Sequence, residues 1–286
     1  ARRYCLNGAC RVPRRRRHWP VLLLPLCVPF VVWDFPSWLF MWAMAGALWL
    51  ALKLYTFLDA PKGGFRRSVA YLLVWPGMDA PEFFANTDVA RPRWREWFVA
   101  ALNIGVGTAL IYAGARRAYP FSPLLAGWLA MIGIGLVLHF GIFKWLALLW
   151  RAAGIPATPI MDAPLRSRSL SEFWGRRWNT GFSIPARRYL MEPIARRFGA
   201  TAGLLTVFLV SGLVHELVIS LPAKAGYGLP TLYFLIQALG MLCERARADR
   251  LSALRWLIIA VPAFILFHPP FVHRVIIPFL KVIGAL

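Results

Sequence analysis

Apolar runs of membrane-spanning length recur along this chain, and most of its charge lies in the stretches between them. A helix needs about 20 residues to cross the hydrocarbon core of a bilayer. Runs near 20–33, 38–58, 97–115, 123–150, 201–221, 229–243, 255–268 and 271–285 meet or approach that length. The first, the sixth and the last two are short, and Pro269 and Pro270 separate the final pair, which also reads as one broken helix. The pattern predicts an all-α fold, a polytopic transmembrane helical bundle of about eight spans. Segment 68–79, SVAYLLVWPGMD, is apolar but too short to cross and is broken by Pro76 and Gly77, so it is expected to be re-entrant or interfacial. No internal repeat is visible, so inverted-repeat transporter folds gain no support.

Composition agrees with a bilayer. The chain is 59% hydrophobic over 286 residues, against about 45–50% in soluble domains, and its mean hydropathy is +0.57. Fourteen Trp and twenty Phe add interfacial anchors. The net charge of +21 would suit nucleic acid only if it formed a stripe on a soluble domain, and instead it flanks apolar runs. Residues 1–19 hold seven Arg and read as a basic N-terminal arm, disordered or outside the folded unit, ahead of a single membrane-embedded domain over 20–286. The apolar run after the arm reads as an anchor, since no small-residue cleavage site follows it. Segment 59–96 carries six basic residues and 151–200 carries nine, whereas 34–37 has none and 222–228 only Lys224. This is the positive-inside pattern, with the N-terminus and 151–200 cytoplasmic; Arg116 and Arg117 fit it least well. Cys5, Cys10, Cys27 and Cys243 match neither a zinc pattern nor a disulfide framework and read as ordinary thiols.

The chemistry concentrates in two places. In 201–221, TAGLLTVFLVSGLVHELVISL, His215 and Glu216 sit well inside an apolar run. A charge at that depth costs about 2.5–3.5 kcal/mol on insertion scales, so such groups usually face a cavity or a partner. Ser211 lies one turn before His215 and Ser220 one turn after Glu216, which makes a polar strip. The pair suits a general base oriented or tuned by a carboxylate, a proton relay, or a structural hydrogen bond between helices. The second place is 164–182, PLRSRSLSEFWGRRWNTGF, an amphipathic stretch in which Ser169 or Ser171 is expected to cap a short helix with Glu172 in its first turn. Phe173, Trp174 and Trp178 are suited to insertion at the interface, with Arg176 and Arg177 reaching solvent or phosphate.

FWGRRWN (Phe173–Asn179), followed by SGLVHE (Ser211–Glu216), resembles the membrane-bound O-acyltransferase superfamily and, within it, the wax-synthase-like branch. YLLVWPGMD (Tyr71–Asp79), HFGIF (His139–Phe143) and FHPPF (Phe267–Phe271) are similar to the same branch, so that the resemblance runs from about residue 60 to the C-terminus. It implies a catalytic role for His215 and for Asn179, a cytoplasmic interfacial helix carrying the first motif, and a central tunnel joining the two. It implies transfer of a fatty acyl group from acyl-CoA, a co-substrate rather than a cofactor, to the hydroxyl of a long-chain or other lipophilic alcohol, with His215 as general base. Gly175, Arg176 and Arg177 stand where steryl ester and triacylglycerol relatives carry an acidic residue, which weakens any transfer of their specificity.

Further expected substrate contacts are Glu216, Trp174, Arg176, Arg177, Trp178, Gln237 and Ser211. Arg176 and Arg177 suit coenzyme A phosphates but equally plain positive-inside anchoring. Gln237 is a candidate to face His215, or else helix–helix glue. His139, His268, His273 and His18 form no recognisable metal pattern, and no metal is expected. Two other readings stand beside the first: an O-acyltransferase acting on a glycan, sterol-like or secondary-metabolite hydroxyl, and a proton-coupled transporter using His215 and Glu216 as a relay. The expected location is a bacterial inner membrane or the endoplasmic reticulum, with membrane lipids as partners and no nucleic acid.

Overall fold

The computed structural model describes residues 18–60, 63–246 and 254–286. Most of the basic arm, Cys5, Cys10, Lys62, Arg247 and Arg250 therefore lie outside the described residues. Among the described residues every regular element is a helix. In chain order these are α1 (Trp19–Val32), α2 (Ser37–Asp59), α3 (Phe65–Leu73), α4 (Ala80–Phe84), α5 (Trp94–Ala118), α6 (Pro123–Ala152), α7 (170–177), α8 (180–198), α9 (Ala200–Ala223), α10 (Leu229–Ala246), α11 (Arg255–Leu266) and α12 (Pro269–Val282).

Four of them, α2, α5, α6 and α9, are long and apolar enough to cross a membrane, and α11 with α12 makes a fifth if the pair counts as one span bent by 58°. The sequence pattern gave about eight, and the difference has local causes. Helix α1 is short and opens as a tight 3-10 coil containing Pro20 and Pro25. Helix α10 ends in Glu244 and Arg245, which lowers its hydropathy. The last two runs meet at the Pro269–Pro270 break, as one of the two readings expected.

The bundle has two chemically different ends. One end, here the motif end, gathers the end of α2, the α3–α4 segment, the start of α5, the end of α6, residues 151–198 and the end of α10. Tyr189 donates to Asp59 at 2.7 Å, Arg151 pairs with Glu96 at 2.8 Å, and Glu244 accepts from Leu170. The far end gathers the opposite termini. Helix α12 does not run between the two ends. Near its start Arg274 donates to Ala223 O, and just past its other terminus Arg116 holds the carbonyls of Gly284 and Ala285, all at the far end. Phe279 also packs on Trp38 and Trp42, at the far-end start of α2. Helix α12 is therefore a strap across the far end.

The 68–79 segment does not cross. Phe65 and Leu73 are exposed, Tyr71 is buried, and residues 75–79 have no regular secondary structure. The expected break at Pro76–Gly77 is the point where α2 takes hold. Trp49 Nε1 donates to Pro76 O at 3.0 Å, and the buried Lys53 donates to Trp75 O at 2.7 Å and also to Gly77 O. Its Nζ also stands 3.4 Å from the centroid of the Tyr71 ring. Irregular backbone within a bilayer is tolerated only where its polar groups find protein partners. Helices within lipid associate through close packing rather than the hydrophobic effect. A Cβ at Gly107 of α5 would stand 2.6 Å from Gly133 O of α6, so glycine lets these two backbones touch.

Candidate active site

His215 ends the regular part of α9, and the next five residues, Glu216–Ser220, widen into a π-turn. Such insertions are frequent at functional sites because they rotate side chains out of the helical register. His215 Nδ1 lies 2.7 Å from the carbonyl oxygen of Ser211, one turn back. A carbonyl can only accept, so Nδ1 carries the proton and the neutral ring keeps its lone pair on Nε2. The ring packs on Phe234 of α10, with centroids 4.4 Å apart. Gly212 makes this approach possible: a Cβ there would meet Thr231 Cα at 2.7 Å. Ser211 shares the face of His215 as expected, but its hydroxyl is spent on Val207 O at 2.8 Å and only its carbonyl serves the histidine.

Glu216 does not orient His215. Its Oε1 accepts from the backbone of Gly228 and Thr231, each at 3.0 Å, and from the Thr231 hydroxyl at 2.9 Å. It thereby caps the start of α10 from a neighbouring helix, where a negative charge meets the positive end of the dipole. Its Oε2 is buried with no partner among the described residues. Glu216 borders an open, largely apolar groove of about 340 Å³ between α9 and α10, with Leu213, Tyr227, Thr231, Leu232 and Leu235.

The FWGRRWN motif is built at the motif end. Ser169 caps α7 by accepting from Glu172 N–H at 2.9 Å, one of the two caps the sequence offered. Glu172 accepts from Arg168 N–H at 2.7 Å and pairs with Arg177 at 2.7 Å. Those hydrogen bonds, first from the Arg168 backbone and then from the Arg177 guanidinium, hold the Glu172 carboxyl below its ordinary range. Arg177 also donates to Asp162 O at 3.1 Å, so it is a strut of the motif. Arg176 is exposed and forms no hydrogen bond among the described residues, which leaves it the freer cation of the pair.

Phe173–Arg177 again has π geometry. Trp178 stacks on Phe173 at 5.3 Å, while Trp174 points inward against Phe208, Tyr233 and Phe234. Trp174 and His215 thus contact the same ring, that of Phe234. Gln237 is fully buried but bonds to Trp174 Nε1 at 3.3 Å and Ile258 O at 2.7 Å, not to His215. Asn179 sits in the left-handed region with φ 46°, between α7 and α8. Its carbonyl accepts from Phe182 and Ser183 N–H and its own N–H meets Met161 Sδ at 3.2 Å, leaving the carboxamide without a protein partner among the described residues.

Two contributors escaped sequence reading. Glu244, buried at the end of α10, accepts from Leu170 N–H at 2.9 Å and Ser171 N–H at 3.3 Å and so fastens the motif helix to the bundle. Its signal was an acid ending an apolar run. Phe234 carried no signal, being one Phe among twenty. Among the described residues no three His, Cys, Asp or Glu side chains are grouped to hold a metal. A polar depression of about 440 Å³ at the motif end includes Glu82, Arg151, Thr158 and Asp162; neither it nor the α9–α10 groove is lined by His215 or Asn179. Burial raises the Glu82 carboxyl pKa, opposed by a hydrogen bond from Thr158.

Residues 157–236, which contain both motifs, match the membrane bound O-acyl transferase family. The probable long-chain-alcohol O-fatty-acyltransferase 3 of Arabidopsis thaliana is 27% identical over 250 residues, spanning 82% of this chain and 72% of that protein. The chain is thus similar to the membrane-bound O-acyltransferase family and, within it, to wax-synthase-like members. The long-chain-alcohol O-fatty-acyltransferase of Simmondsia chinensis is 30% identical over 125 residues, 39% of this chain and 35% of the relative. The probable long-chain-alcohol O-fatty-acyltransferase 9 of Arabidopsis thaliana is 39% identical over 79 residues, 25% of this chain and 23% of the relative. These two matches thus span well under two thirds of the relatives concerned. This O-acyltransferase is an integral membrane enzyme of acyl transfer, and the matched region is the part that positions His215 and Asn179.

Proposed function

We propose that this enzyme transfers a fatty acyl group from acyl-CoA to the hydroxyl of a long-chain alcohol, with His215 as general base. The observation that carries the reading is the tautomer: the bond from Nδ1 to Ser211 O leaves Nε2 as a lone pair inside an apolar bundle. The names of the relatives supply the substrate class, a long-chain alcohol and a fatty acyl group. An alcohol is a weak nucleophile at neutral pH. Nε2 takes the hydroxyl proton as the oxygen attacks the thioester carbonyl. The tetrahedral oxyanion collapses with cleavage of the C–S bond, and the thiolate leaves and recovers the proton from the imidazolium. Ester and free coenzyme A thiol are the products, and no covalent enzyme intermediate is needed. The unengaged carboxamide of Asn179 is suited to donate to the thioester carbonyl as charge develops on it.

The motif end is proposed to be cytoplasmic, where acyl-CoA resides, with Arg176 meeting the phosphates. The tunnel expected between the motifs is proposed to run past Trp174, Phe208 and Phe234 once these rings move aside. The test is ester formation by purified protein from labelled acyl-CoA and a panel of alcohols. His215→Ala is expected to lower the rate by about 10²–10⁴-fold, with Asn179→Ala also impaired. A folded His215→Ala enzyme working at the wild-type rate rules out the base, and wild type that esterifies no alcohol rules out the reaction.

A further inference from the structure

The FHPPF motif has no part in the chemistry above, yet His268 within it is 1% exposed and fully committed to hydrogen bonds. The Phe271 N–H donates to its Nδ1 at 3.2 Å, which caps the start of α12. Nδ1 being an acceptor, the ring proton lies on Nε2, which faces Ser220 Oγ at 3.4 Å. Ser220 in turn donates to Gly226 O at 3.2 Å. Each group has one role, and the chain closes from the strap, through the imidazole, to the connection between α9 and α10.

That connection is conformationally demanding. Lys224, Gly226 and Gly228 all lie at positive φ, 49°, 73° and 87°. A Cβ at Gly226 would stand 2.5 Å from ring carbons Cδ2 and Cε1 of His268, so the turn is moulded on the imidazole face. The same turn delivers Gly228 N–H to Glu216, the residue after His215. The elbow is therefore gripped from both sides, by Glu216 within and by His268 from the strap. Its shape sets where α10 places Phe234 against His215.

We propose that His268 is a positioning residue for the reaction: through Ser220 and Gly226 it fixes the π-turn and the elbow, and so holds His215 and Phe234 in register. This rests on His215 being the base. A displacement of about 1 Å at a catalytic group can cost on the order of 100-fold in rate.

The test uses the full-length purified enzyme and four variants. His268→Phe fills the volume but makes neither hydrogen bond. His268→Asn keeps an acceptor for the Phe271 N–H. Ser220→Ala removes only the hydroxyl, and it serves if His268→Phe does not fold. His215→Ala is the control. His268→Phe and Ser220→Ala are expected to lower kcat by about 10–100-fold while KM for alcohol and acyl-CoA stays within about twofold. Amide exchange over 216–228 is expected to quicken in both, with exchange over 157–182 unchanged. His268→Asn, which keeps the cap on Phe271 but ends short of Ser220, is expected to lose kcat as Ser220→Ala does. The proposal is overturned by folded His268→Phe or Ser220→Ala protein with unchanged exchange over 216–228, or with quickened exchange and wild-type kcat. If His215→Ala keeps full activity, the base reading fails on its own, and the exchange measurement still decides whether His268 holds the elbow.

Discussion

Removing the carboxylate of Glu244 tests whether the FWGRRWN helix is docked on the bundle by the contacts seen. Glu244 lies 7% exposed at the end of α10 and receives two backbone N–H groups from the first turn of α7. Hydrogen bonds to a charged group contribute about 1.5–3 kcal/mol each. The longer bond, at 3.3 Å, adds less, and solvent reaches the first turn once the carboxylate is gone. A net loss of about 2 kcal/mol for Glu244→Ala is therefore expected, a change of about 30-fold in the docking equilibrium. Ser169 still caps Glu172 in the variant, so α7 should stay helical and detach as a unit. Glu244→Gln keeps one acceptor but turns an amide toward the second N–H, and should fall between the two. Amide exchange over 168–179 in detergent or nanodiscs reads the docking directly, and ester formation reads its consequence. Exchange there that is identical in wild type and Glu244→Ala would refute the role of the carboxylate.

Three other perturbations have definite outcomes. Because hydrogen bonds hold the Glu172 carboxyl below its ordinary value of 4.5, its contribution to motif stability is present above that pH and lost as pH falls through the lowered value; protease cutting near Arg177 should rise on acidification, and Glu172→Gln should abolish that dependence. Gly212→Ala forces a Cβ onto the Thr231 backbone, 2.7 Å away, so a loss of about 1–3 kcal/mol in thermal stability, with lower activity, is expected; an unchanged Tm would contradict the close approach of α9 and α10. Lys53→Met strips the partner from the carbonyls of Trp75 and Gly77, and amide exchange over 74–79 should quicken.

The helical class and most of the long apolar elements were legible because the hydropathy pattern is the physical requirement of the bilayer itself. The count of crossings was less legible. A run such as 271–285 satisfies the pattern equally well as a span or as a strap, and only its contacts at both ends, with Ala223 and with Arg116, decide the matter. The two motifs were legible for a different reason: an imidazole inside an apolar run is costly, and a Trp- and Arg-dense stretch is unusual. Their partners were not. Glu216 reads as a companion of His215 by adjacency, yet consecutive residues on a helix point about 100° apart, and the carboxylate turns instead to the start of α10. Gln237 reads as facing His215 but lies one turn too far along α10, and Phe234 takes that place.

The distribution of basic residues is resolved by asking which of them are already satisfied. At the far end Arg116 is spent on the terminal carbonyls of Gly284 and Ala285, Arg274 on Ala223 and Lys224, and Lys224 on the carbonyl and ring of Trp33. Cations there complete helix ends, where the carbonyls carry partial negative charge. At the motif end Arg66, Arg91, Arg176 and Arg196 are exposed with no hydrogen-bonded partner among the described residues. Free cations are the ones that interact with anionic lipid or phosphate and resist translocation. Arg116, which fitted a positive-inside reading least well by count, ceases to weigh against it once its charge is matched by the helix it terminates, whereas Arg117 beside it stays exposed and is outnumbered by the free arginines opposite. Of these exposed arginines Arg176 belongs to the same motif as Asn179, so the proposed orientation and the proposed anionic acyl donor place the same demand on that motif.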